Sequence, residues 1–547
     1  MNDIDLRMLN NRIDALLAPW RDRPSPGMTV GVLLGDTLVA HRHAGLASLE
    51  HGVPIDAGTR FRIASVSKQF TCAAILLLAA RGALAIEAEA RSLLPELPAA
   101  CAGITLAQLM HNTSGIRDML EIQRQGGGDL SVPITRDDLL EGICRQRTLN
   151  FAPGSRYLYS NSNFFLLGLV VERVSGMTLG AFLERELFAP LGMTATEHTP
   201  DLHTPIPRLA SGYLVSDGRF VRARHALPLG GEGGLVSCVG DLAIWAHNAM
   251  AGRIPCAEVL RGLELQTPFA NGRANPYARG LAARPYRGVP TFSHGGLWPG
   301  FRTEYLRAPD QQVAVIAISN HGGADPNLLA HRVLDLLLDR IGAPANPVLP
   351  DKAALAPMAG RYRDAETGAT LDIAVADDGV PTLTANGVAA IAEATADGRL
   401  TVPRSSTILT VRARGGDEVE VELDAGTVAT WRRVPAAPGL PADLPGTYLS
   451  DEMAARWVIT REGEGMLAQA IGPVIRGARW RIEPIAGDDV RVHVPGTLMP
   501  GWLDVRVLRD GAGRITALSV NGGRVKGARY RREASVPARS GTAEWPA

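Results

Sequence analysis

Apolar and polar positions in the first part of the chain follow two different periods, which predicts a mixed α/β fold. Residues 28–34 and 37–42 are short apolar stretches joined at Gly35-Asp36, and we predict a β-hairpin there. From Lys68 to Gly82 apolar residues recur at helical spacing. Later predicted elements are a helix that includes Phe164, the strand Val313–Ser319 and the helix Asn327–Arg340.

The pattern changes after residue 342. Two proline-rich segments, residues 343–350 and 435–441, predict stiff linkers. Short alternating strands with Asp-Gly and Asn-Gly turns fill the stretches between and after them, and we expect two small antiparallel barrels of about eight strands each. The predicted units are an α/β domain at 1–342, a first β-barrel at 353–434, a second β-barrel at 444–533 and a disordered tail at 534–547.

The two predicted β modules resemble each other at both ends. The first begins with Gly-Arg-Tyr at 360–362 and ends with Trp-Arg-Arg at 431–433. The second begins with Gly-Thr-Tyr at 446–448 and ends with Tyr-Arg-Arg at 530–532. Matched ends of this kind predict an internal duplication.

Composition narrows the class of function. Basic and acidic residues number 56 each, and 46% of residues are apolar, which excludes a disordered polyelectrolyte and gives no electrostatic case for nucleic acid or an anionic membrane. No apolar run approaches the roughly 18 residues of a membrane span, and the charged N-terminus lacks a signal-peptide pattern. The five cysteines have no metal-ligand spacing and indicate a reducing compartment. We therefore expect a cytoplasmic protein with a small-molecule or short-peptide substrate, and leave a homodimer open.

Lysine is rare in this chain, and one lysine stands in a motif that suggests catalysis. Lys68, Lys352 and Lys526 are the only lysines among 56 basic residues. Lysine, unlike arginine, can lose its proton near neutral pH when it is buried, so Lys68 can act as a base. Ser65 precedes Lys68 by three positions, and a helix would place both side chains on one face, as an activated serine requires. The alternative is codon bias with a chance Ser-x-x-Lys match.

Two further clusters supply candidate partners for this pair. Tyr159-Ser160-Asn161 lies at the entry of the predicted helix around Phe164, where polar residues are often caps. His294-Gly295-Gly296 comes before a predicted strand, and a lone histidine is more often structural than catalytic. Each cluster alone fits a structural role, but their conjunction in this order favours catalysis.

The order Ser-x-x-Lys, Tyr-Ser-Asn, His-Gly-Gly resembles the penicillin-recognising serine hydrolases, the beta-lactamase-like superfamily of serine peptidases. Its usual members carry Lys-Thr-Gly as the third element, and the His-Gly-Gly variant is seen in the esterase and peptidase branches. Residues 65–73, 448–452 and 528–532, together with the two β modules, further resemble the bacterial D-aminopeptidases. That resemblance implies a beta-lactamase-like catalytic domain of mixed antiparallel sheet and helices, two eight-stranded barrels, and hydrolysis that releases N-terminal D-amino acids from small peptides, amides or esters.

The resemblance also implies catalytic roles. Ser65 would attack the scissile carbonyl to form an acyl-enzyme, while Lys68 and Tyr159 together take its proton. His294 would orient Tyr159 or polarise the substrate. No metal or other cofactor is implied.

Substrate binding is implied for a second group of residues. The backbone N–H groups of Ser65 and Leu297 would hold the developing oxyanion. Gly295 and Gly296 would let the substrate approach the strand closely. Asn161 would hydrogen-bond the substrate or Lys68.

One stretch departs from the family pattern. D-aminopeptidases place an acidic residue from a loop of the last barrel near the substrate ammonium group, whereas the corresponding residues 474–483 are rich in arginine. If this loop reaches the cleft, Arg476, Arg479 and Trp480 should lie there. Three interpretations stay open: a solvated arginine face, a carboxylate-binding loop of an esterase, amidase or DD-peptidase-like enzyme, or a peptide-binding protein without catalysis.

Overall fold

The computed structural model describes residues 5–22, 24–128, 131, 133–201, 203–251, 257–346, 348–395, 397–402, 408–435, 439–472, 476–495 and 501–533. The predicted tail at 534–547 and parts of both predicted linkers, residues 347 and 436–438, lie outside the described residues.

An antiparallel six-stranded sheet organises the first unit, and its strands lie in the order Ala282–Ala283, Phe292–Trp298, Phe301–Ala308, Val313–Ser319, Met28–Leu34 and Thr37–Ala44. The strands of this unit are β1 Met28–Leu34, β2 Thr37–Ala44, β3 Leu46–Ser48, β4 Val53–Pro54, β5 Phe61–Arg62, β6 Glu197–His198, β7 Tyr213–Ser216, β8 Arg219–Arg222, β9 Leu235–Ser237, β10 Ala282–Ala283, β11 Phe292–Trp298, β12 Phe301–Ala308 and β13 Val313–Ser319. Its helices are α1 Leu6–Leu16, α2 Lys68–Ala80, α3 Ala90–Leu93, α4 Leu106–Met110, α5 Met119–Gln125, α6 Arg136–Cys144, α7 Asn161–Ser175, α8 Leu179–Leu183, α9 Ala189–Leu191, α10 Val239–Ala251, α11 Ala257–Gly262 and α12 Pro326–Leu338. The predicted hairpin, strand and helices are confirmed.

Strand β13 lies between two cores, which explains its unbroken apolar sequence. Its odd-numbered residues from Val313 to Ala317 pack in a core with α1 and α12. Its even-numbered residues from Ala314 to Ile318 pack in a second core with α2, α7 and α10. Because successive side chains of a strand point to opposite faces, one strand serves both cores. The helices that carry the candidate catalytic residues belong to the second core.

The two β modules follow in sequence. The second is a closed eight-stranded barrel, as predicted, and the first is a nearly closed, barrel-like sheet of nine strands whose end strands are Val388–Ile391 and Glu393–Ala394. The first module contains α13 Lys352–Leu355, β14 Gly360–Arg363, β15 Thr370–Val375, β16 Pro381–Ala385, β17 Val388–Ile391, β18 Glu393–Ala394, β19 Leu400–Thr401, β20 Leu409–Gly415, β21 Glu418–Leu423 and β22 Ala429–Arg433. The barrel contains β23 Gly446–Ser450, β24 Ala455–Glu462, β25 Gly465–Ile471, β26 Arg476–Ala486, β27 Asp489–Val494, β28 Gly501–Arg509, β29 Ile515–Asn521 and β30 Ala528–Arg532.

The two modules share local structure where their sequences match. In each module the first strand pairs with the last, through Tyr362 with Arg433 and Tyr448 with Arg532. Both tyrosine hydroxyls donate to the carbonyl oxygen four residues earlier, at 3.1 Å in the first module and 2.7 Å in the second. An arginine guanidinium also lies over each tyrosine ring. This repeated arrangement supports the predicted duplication.

Among the described residues, no single helix combines the length and the apolar character needed to cross a membrane. One bent pair of helical segments, Asn161–Ser175 with Leu179–Leu191, passes those two criteria together.

Candidate active site

The start of α2 brings the Ser65 and Lys68 side chains together. A 3-10 turn, Ala64–Ser67, leads directly into α2, and residues three apart lie on one face of such a turn. Lys68 Nζ lies 3.0 Å from the Ser65 hydroxyl oxygen. Ala64 has φ of +48°, an unfavourable conformation for a residue with a side chain, and strain of this kind is concentrated at functional sites. The sequence-predicted pair is therefore in contact.

Lys68 is completely buried, and its surroundings suit the neutral amine. Burial lowers its pKa to about 7; the nearby Glu232 carboxyl opposes this shift and the Arg524 guanidinium adds to it. Its Nζ donates to Asn161 Oδ1 at 2.9 Å and to the Glu232 backbone oxygen at 2.5 Å. A neutral amine has two N–H donors and one lone pair, so these two acceptors take both donors. The lone pair is then free to accept the Ser65 hydroxyl proton.

Asn161 is held in place by a buried carboxylate that sequence reasoning missed. Asp118 Oδ2 accepts from the Asn161 backbone N–H at 2.7 Å and from its Nδ2 at 2.8 Å. Asp118 Oδ1 caps α5 by accepting from the N–H groups of Leu120 and Glu121. Because Asn161 Nδ2 is bound to Asp118, its Oδ1 must face Lys68. Of the two predicted roles for Asn161, the structure has the contact with Lys68.

Tyr159 lies beside Ser65 and Lys68 in the same buried group. Its ring centroid is 4.9 Å from Lys68 Nζ. Burial raises its pKa above the ordinary value, while Arg524 and a hydrogen bond with Ser65 oppose that rise. The phenol is therefore protonated at neutral pH and can pass a proton between Ser65, Lys68 and a leaving group.

His294 lies on β11 as a neutral side chain with both ring nitrogens engaged. Nδ1 lies 2.7 Å from the Gly295 carbonyl oxygen and must donate to it, so Nε2 accepts from the Tyr277 hydroxyl at 3.0 Å. Burial lowers the pKa of His294 to about 3, with Lys68 adding to the effect. The rings of His294 and Tyr159 are 5.9 Å apart. Tyr277, which no motif indicated, is thus the hydrogen-bond partner that fixes His294.

Strand β11 runs past the nucleophile with an open edge. Its neighbour β10 pairs only with Phe292 and Ser293, so the part of the strand from His294 to Trp298 has no other described strand on that side. A Cβ at Gly296 would lie 2.3 Å from the carbonyl oxygen of Ile63, just before Ser65. Gly296 therefore lets β11 pass close to the catalytic turn, and Leu297 follows at the open edge with 41% of its surface exposed.

The structure does not bring Arg479 and Trp480 to this group. Both lie on strand β26, where Trp480 is buried in the barrel core against Trp457 and the exposed Arg479 forms an ion pair with Glu462. Residues 473–475 and the side chain of Arg476 lie outside the described structure.

Among the described barrel residues, Arg524 reaches the site from the turn between β29 and β30. Its guanidinium carbon lies 4.6 Å from the Tyr159 ring centroid. The Asn-Gly sequence of this turn is visible in the chain, but nothing local to it indicated the catalytic group as its neighbour.

No group of three or more His, Cys, Asp or Glu side chains is arranged to hold a metal ion in the parts of the chain that the structure describes.

Comparison with known proteins identifies the family to which this site belongs. The model of the family described as Beta-lactamase matches residues 9–339. The chain belongs to the beta-lactamase family. A D-aminopeptidase of Cereibacter sphaeroides is 30% identical over 533 residues, covering 94% of this chain and 97% of that protein. A D-aminopeptidase of Brucella anthropi is 28% identical over 519 residues, covering 93% of this chain and 95% of that protein. The resemblance predicted from the sequence is confirmed.

Solved structures share the fold. The octameric penicillin-binding protein homologue from Pyrococcus abyssi has a TM-score of 0.57 and 21% identity, covering 78% of this chain and all of that one. The D-amino acid amidase from Ochrobactrum anthropi SV3 has a TM-score of 0.53 and 24% identity, covering 61% of this chain and 99% of that one. The beta-lactamase-like fold of the first unit is therefore established.

Proposed function

We propose that the protein is a serine hydrolase that releases the N-terminal D-amino acid of small peptides, amides or esters through an acyl-enzyme. The observation that carries the proposal is the buried Lys68 amine, whose pKa of about 7 lets it take a proton from Ser65 at 3.0 Å. The preference for D-amino acids is supported by the relatives named D-aminopeptidase, which align with this chain over nearly its whole length.

The reaction begins when Ser65 Oγ attacks the scissile carbonyl and its proton passes to neutral Lys68. The C–N or C–O bond then breaks, and the proton moves from Lys68 through Tyr159 to the leaving group. Water attacks the resulting acyl-enzyme with Lys68 and Tyr159 again taking its proton. The acid leaves and Ser65 regains its hydroxyl.

The oxyanion of each tetrahedral intermediate would be held by the backbone N–H groups of Ser65 and Leu297. The open edge of β11 and the close approach at Gly296 support this assignment. The neutral His294, fixed by Tyr277, would line the leaving-group or acyl side without taking a proton itself.

A second candidate is an esterase or amidase of the same fold with no requirement for a substrate ammonium group. One observation favours it, because Arg524 places a positive charge beside Tyr159, where an ammonium group would be repelled. A cytoplasmic location and a homodimer also stay proposals. Unpaired thiols at Cys72, Cys101, Cys144 and Cys238 support a reducing compartment.

A substrate panel tests the proposal directly. D-Ala and L-Ala p-nitroanilides are compared with p-nitrophenyl acetate, using the wild-type chain, Ser65→Ala, and Ser92→Ala as a control at an exposed serine. We expect turnover of the D-anilide, none by Ser65→Ala, and full activity in Ser92→Ala. Ester cleavage without D-anilide cleavage would favour the second candidate, and activity retained by Ser65→Ala would rule out the mechanism.

A further inference from the structure

The turn between β29 and β30, residues 522–527, is docked against the catalytic unit through its backbone. The Arg524 carbonyl oxygen accepts from the Asp118 N–H at 3.3 Å and from Asn150 Nδ2 at 3.1 Å. The Lys526 N–H donates to Asn150 Oδ1 at 2.8 Å. These bonds fix the main chain from the Arg524 carbonyl to the Lys526 N–H, and the Arg524 guanidinium lies over the Tyr159 ring of the catalytic group.

A second set of contacts holds the same turn from the other side. Arg117 Nη2 donates to the Lys526 carbonyl oxygen at 3.1 Å, and Lys526 Nζ lies 3.2 Å from Asp424 Oδ2 of the first β module. Lys526 is one of the three lysines of the chain. All three units of the molecule therefore meet at this turn.

The Arg524 guanidinium has N–H donors that no described residue accepts. Its nearest acidic oxygen, Asp118 Oδ2, is 3.8 Å from Nη1, beyond hydrogen-bond distance. The Asp118 carboxylate already accepts four N–H groups from Leu120, Glu121 and Asn161. No described residue accepts a hydrogen bond from the Arg524 side chain, which is 20% exposed. A planar guanidinium has five donors in a geometry that matches a carboxylate.

The charges around the reacting carbonyl favour an anion there. His294 is neutral and Lys68 is neutral above about pH 7, while burial raises the pKa of the nearby Glu232 carboxyl. The Asp118 carboxylate is occupied by its four N–H donors. The ion pair of Arg524 with Asp118 therefore leaves the guanidinium N–H donors available to a further anion. An ammonium group brought to this side of the site would meet repulsion, and a carboxylate would gain paired, charge-assisted hydrogen bonds.

We propose that Arg524 is a specificity-determining residue that binds a free carboxylate of the substrate, so that the enzyme prefers acyl compounds with a carboxylate close to the scissile bond. This inference rests on the proposed acyl-enzyme chemistry. The carboxylate can belong to the leaving group, as in a dipeptide with a free C-terminus, or to the acyl group, as in a D-aspartyl or D-glutamyl substrate.

Matched substrate pairs distinguish these two sources. D-Ala-Gly against D-Ala-Gly amide varies charge in the leaving group, and D-Asp p-nitroanilide against D-Asn p-nitroanilide varies it in the acyl group. We expect kcat/KM to favour the charged member of one pair by about 10- to 100-fold, the range of a charge-assisted hydrogen bond at a partly desolvated site. The pair that shows the preference identifies the source of the carboxylate.

Three variants show whether Arg524 causes the preference. Arg524→Gln should abolish the preference, whereas Arg479→Gln, which removes an arginine on the outer face of the barrel, should keep it. Arg524→Lys keeps the charge without the planar fork and should retain only part of the preference. Thermal unfolding of each variant shows that the fold is intact. Equal rates within both pairs in the wild-type enzyme would overturn the proposal, as would an equal loss by Arg524→Gln on charged and neutral substrates, which would leave Arg524 only a role in adjusting Lys68.

An ester pair separates this proposal from the proposed D-aminopeptidase activity. Mono-p-nitrophenyl succinate carries a free carboxylate, and p-nitrophenyl methyl succinate is its neutral counterpart. If no D-aminoacyl substrate is cleaved but both esters are, the D-aminopeptidase proposal fails. The Arg524 proposal is then supported by a preference for the charged ester that Arg524→Gln abolishes, and overturned by equal rates.

Discussion

At the scale of single residues, the site depends on a lysine whose burial determines its protonation state. Arginine at position 68 would stay charged, because the guanidinium keeps its proton in proteins, and it could not accept the Ser65 proton. Lysine in the same place is neutral above its lowered pKa. The neighbours of Lys68 fit this state, since Asn161 Oδ1 and the Glu232 carbonyl are acceptors that bind the two N–H groups of the neutral amine.

We predict that kcat/KM for a neutral ester rises with pH and levels off above about pH 7, the pKa to which burial lowers Lys68. The sign follows from the mechanism, because only the neutral amine accepts the Ser65 proton and its fraction grows as pH rises through the pKa. Arg524→Gln should move the midpoint to higher pH, since the Arg524 charge lowers the pKa of Lys68. A p-nitrophenyl ester assayed between pH 5.5 and 8.5 measures both. A profile that is flat across this range in the wild-type enzyme would contradict the assignment of Lys68 as the base.

At the scale of elements, strand β11 owes its position to two adjacent glycines with different surroundings. A Cβ at Gly296 would lie 2.3 Å from a backbone oxygen of Ile63, whereas one at Gly295 would lie 3.2 Å from Oε2 of the Glu304 side chain. Backbone at the start of the catalytic turn cannot move without moving Ser65, but a side-chain oxygen can shift by a few tenths of an ångström. The two glycines are thus a matched pair on one strand.

Gly296→Ala should therefore reduce kcat/KM by roughly 100-fold or more, the scale expected when a reacting group is displaced by about 1 Å. Gly295→Ala should reduce it far less, since its nearest neighbour is the end of a side chain. Steady-state kinetics on one p-nitrophenyl ester, with thermal unfolding as a check of the fold, compares the two. If Gly296→Ala keeps as high a kcat/KM as Gly295→Ala, β11 and the catalytic turn can move apart without loss of activity, and the prediction is wrong.

The strands and helices also show how much of the fold and of the candidate site the sequence alone predicts. Ser65 and Lys68 are three residues apart on one turn, so local geometry predicts their contact. Arg479 and Trp480, predicted to lie in a loop at the cleft, lie on strand β26 instead. The sequence here alternates apolar and charged residues in the period of a half-buried strand, with Ala478, Trp480 and Ile482 between Arg479, Arg481 and Glu483. That alternation predicts strand β26, but the prediction of a loop followed the family resemblance instead. Arg524 and Tyr277 reach the site through tertiary packing, and no local pattern encodes such contacts. The exact domain boundaries stay predictions.

At the scale of the whole molecule, the closed barrel is packed onto the catalytic unit as part of the site's support. Ile122 of α5 belongs to the hydrophobic core of the barrel, and Trp457 Nε1 donates to the Gln125 carbonyl oxygen at 2.9 Å. A Cβ at Gly472 would lie 2.4 Å from the carbonyl oxygen of Gly126, so the two backbones are in direct contact. The same helix α5 is capped by Asp118, which holds Asn161. Barrel packing and catalytic geometry therefore share one helix.

A buried ion pair between Arg117 and Glu452 links these units, and it supplies the last prediction. The Arg117 side chain is 2% exposed, and breaking such a pair from one side leaves an uncompensated buried charge that costs roughly 3 kcal/mol. Glu452→Gln should lower the free energy of unfolding by about that amount, measured by urea unfolding followed by tryptophan fluorescence. The neighbouring Asp451 pairs with an exposed Arg531, so Asp451→Asn should cost less than about 1 kcal/mol.

Because Arg117 immediately precedes Asp118, Glu452→Gln should also lower kcat, whereas Asp451→Asn should not. Equal effects of the two variants on stability and rate would mean that the barrel rests on the catalytic unit without supporting its active site.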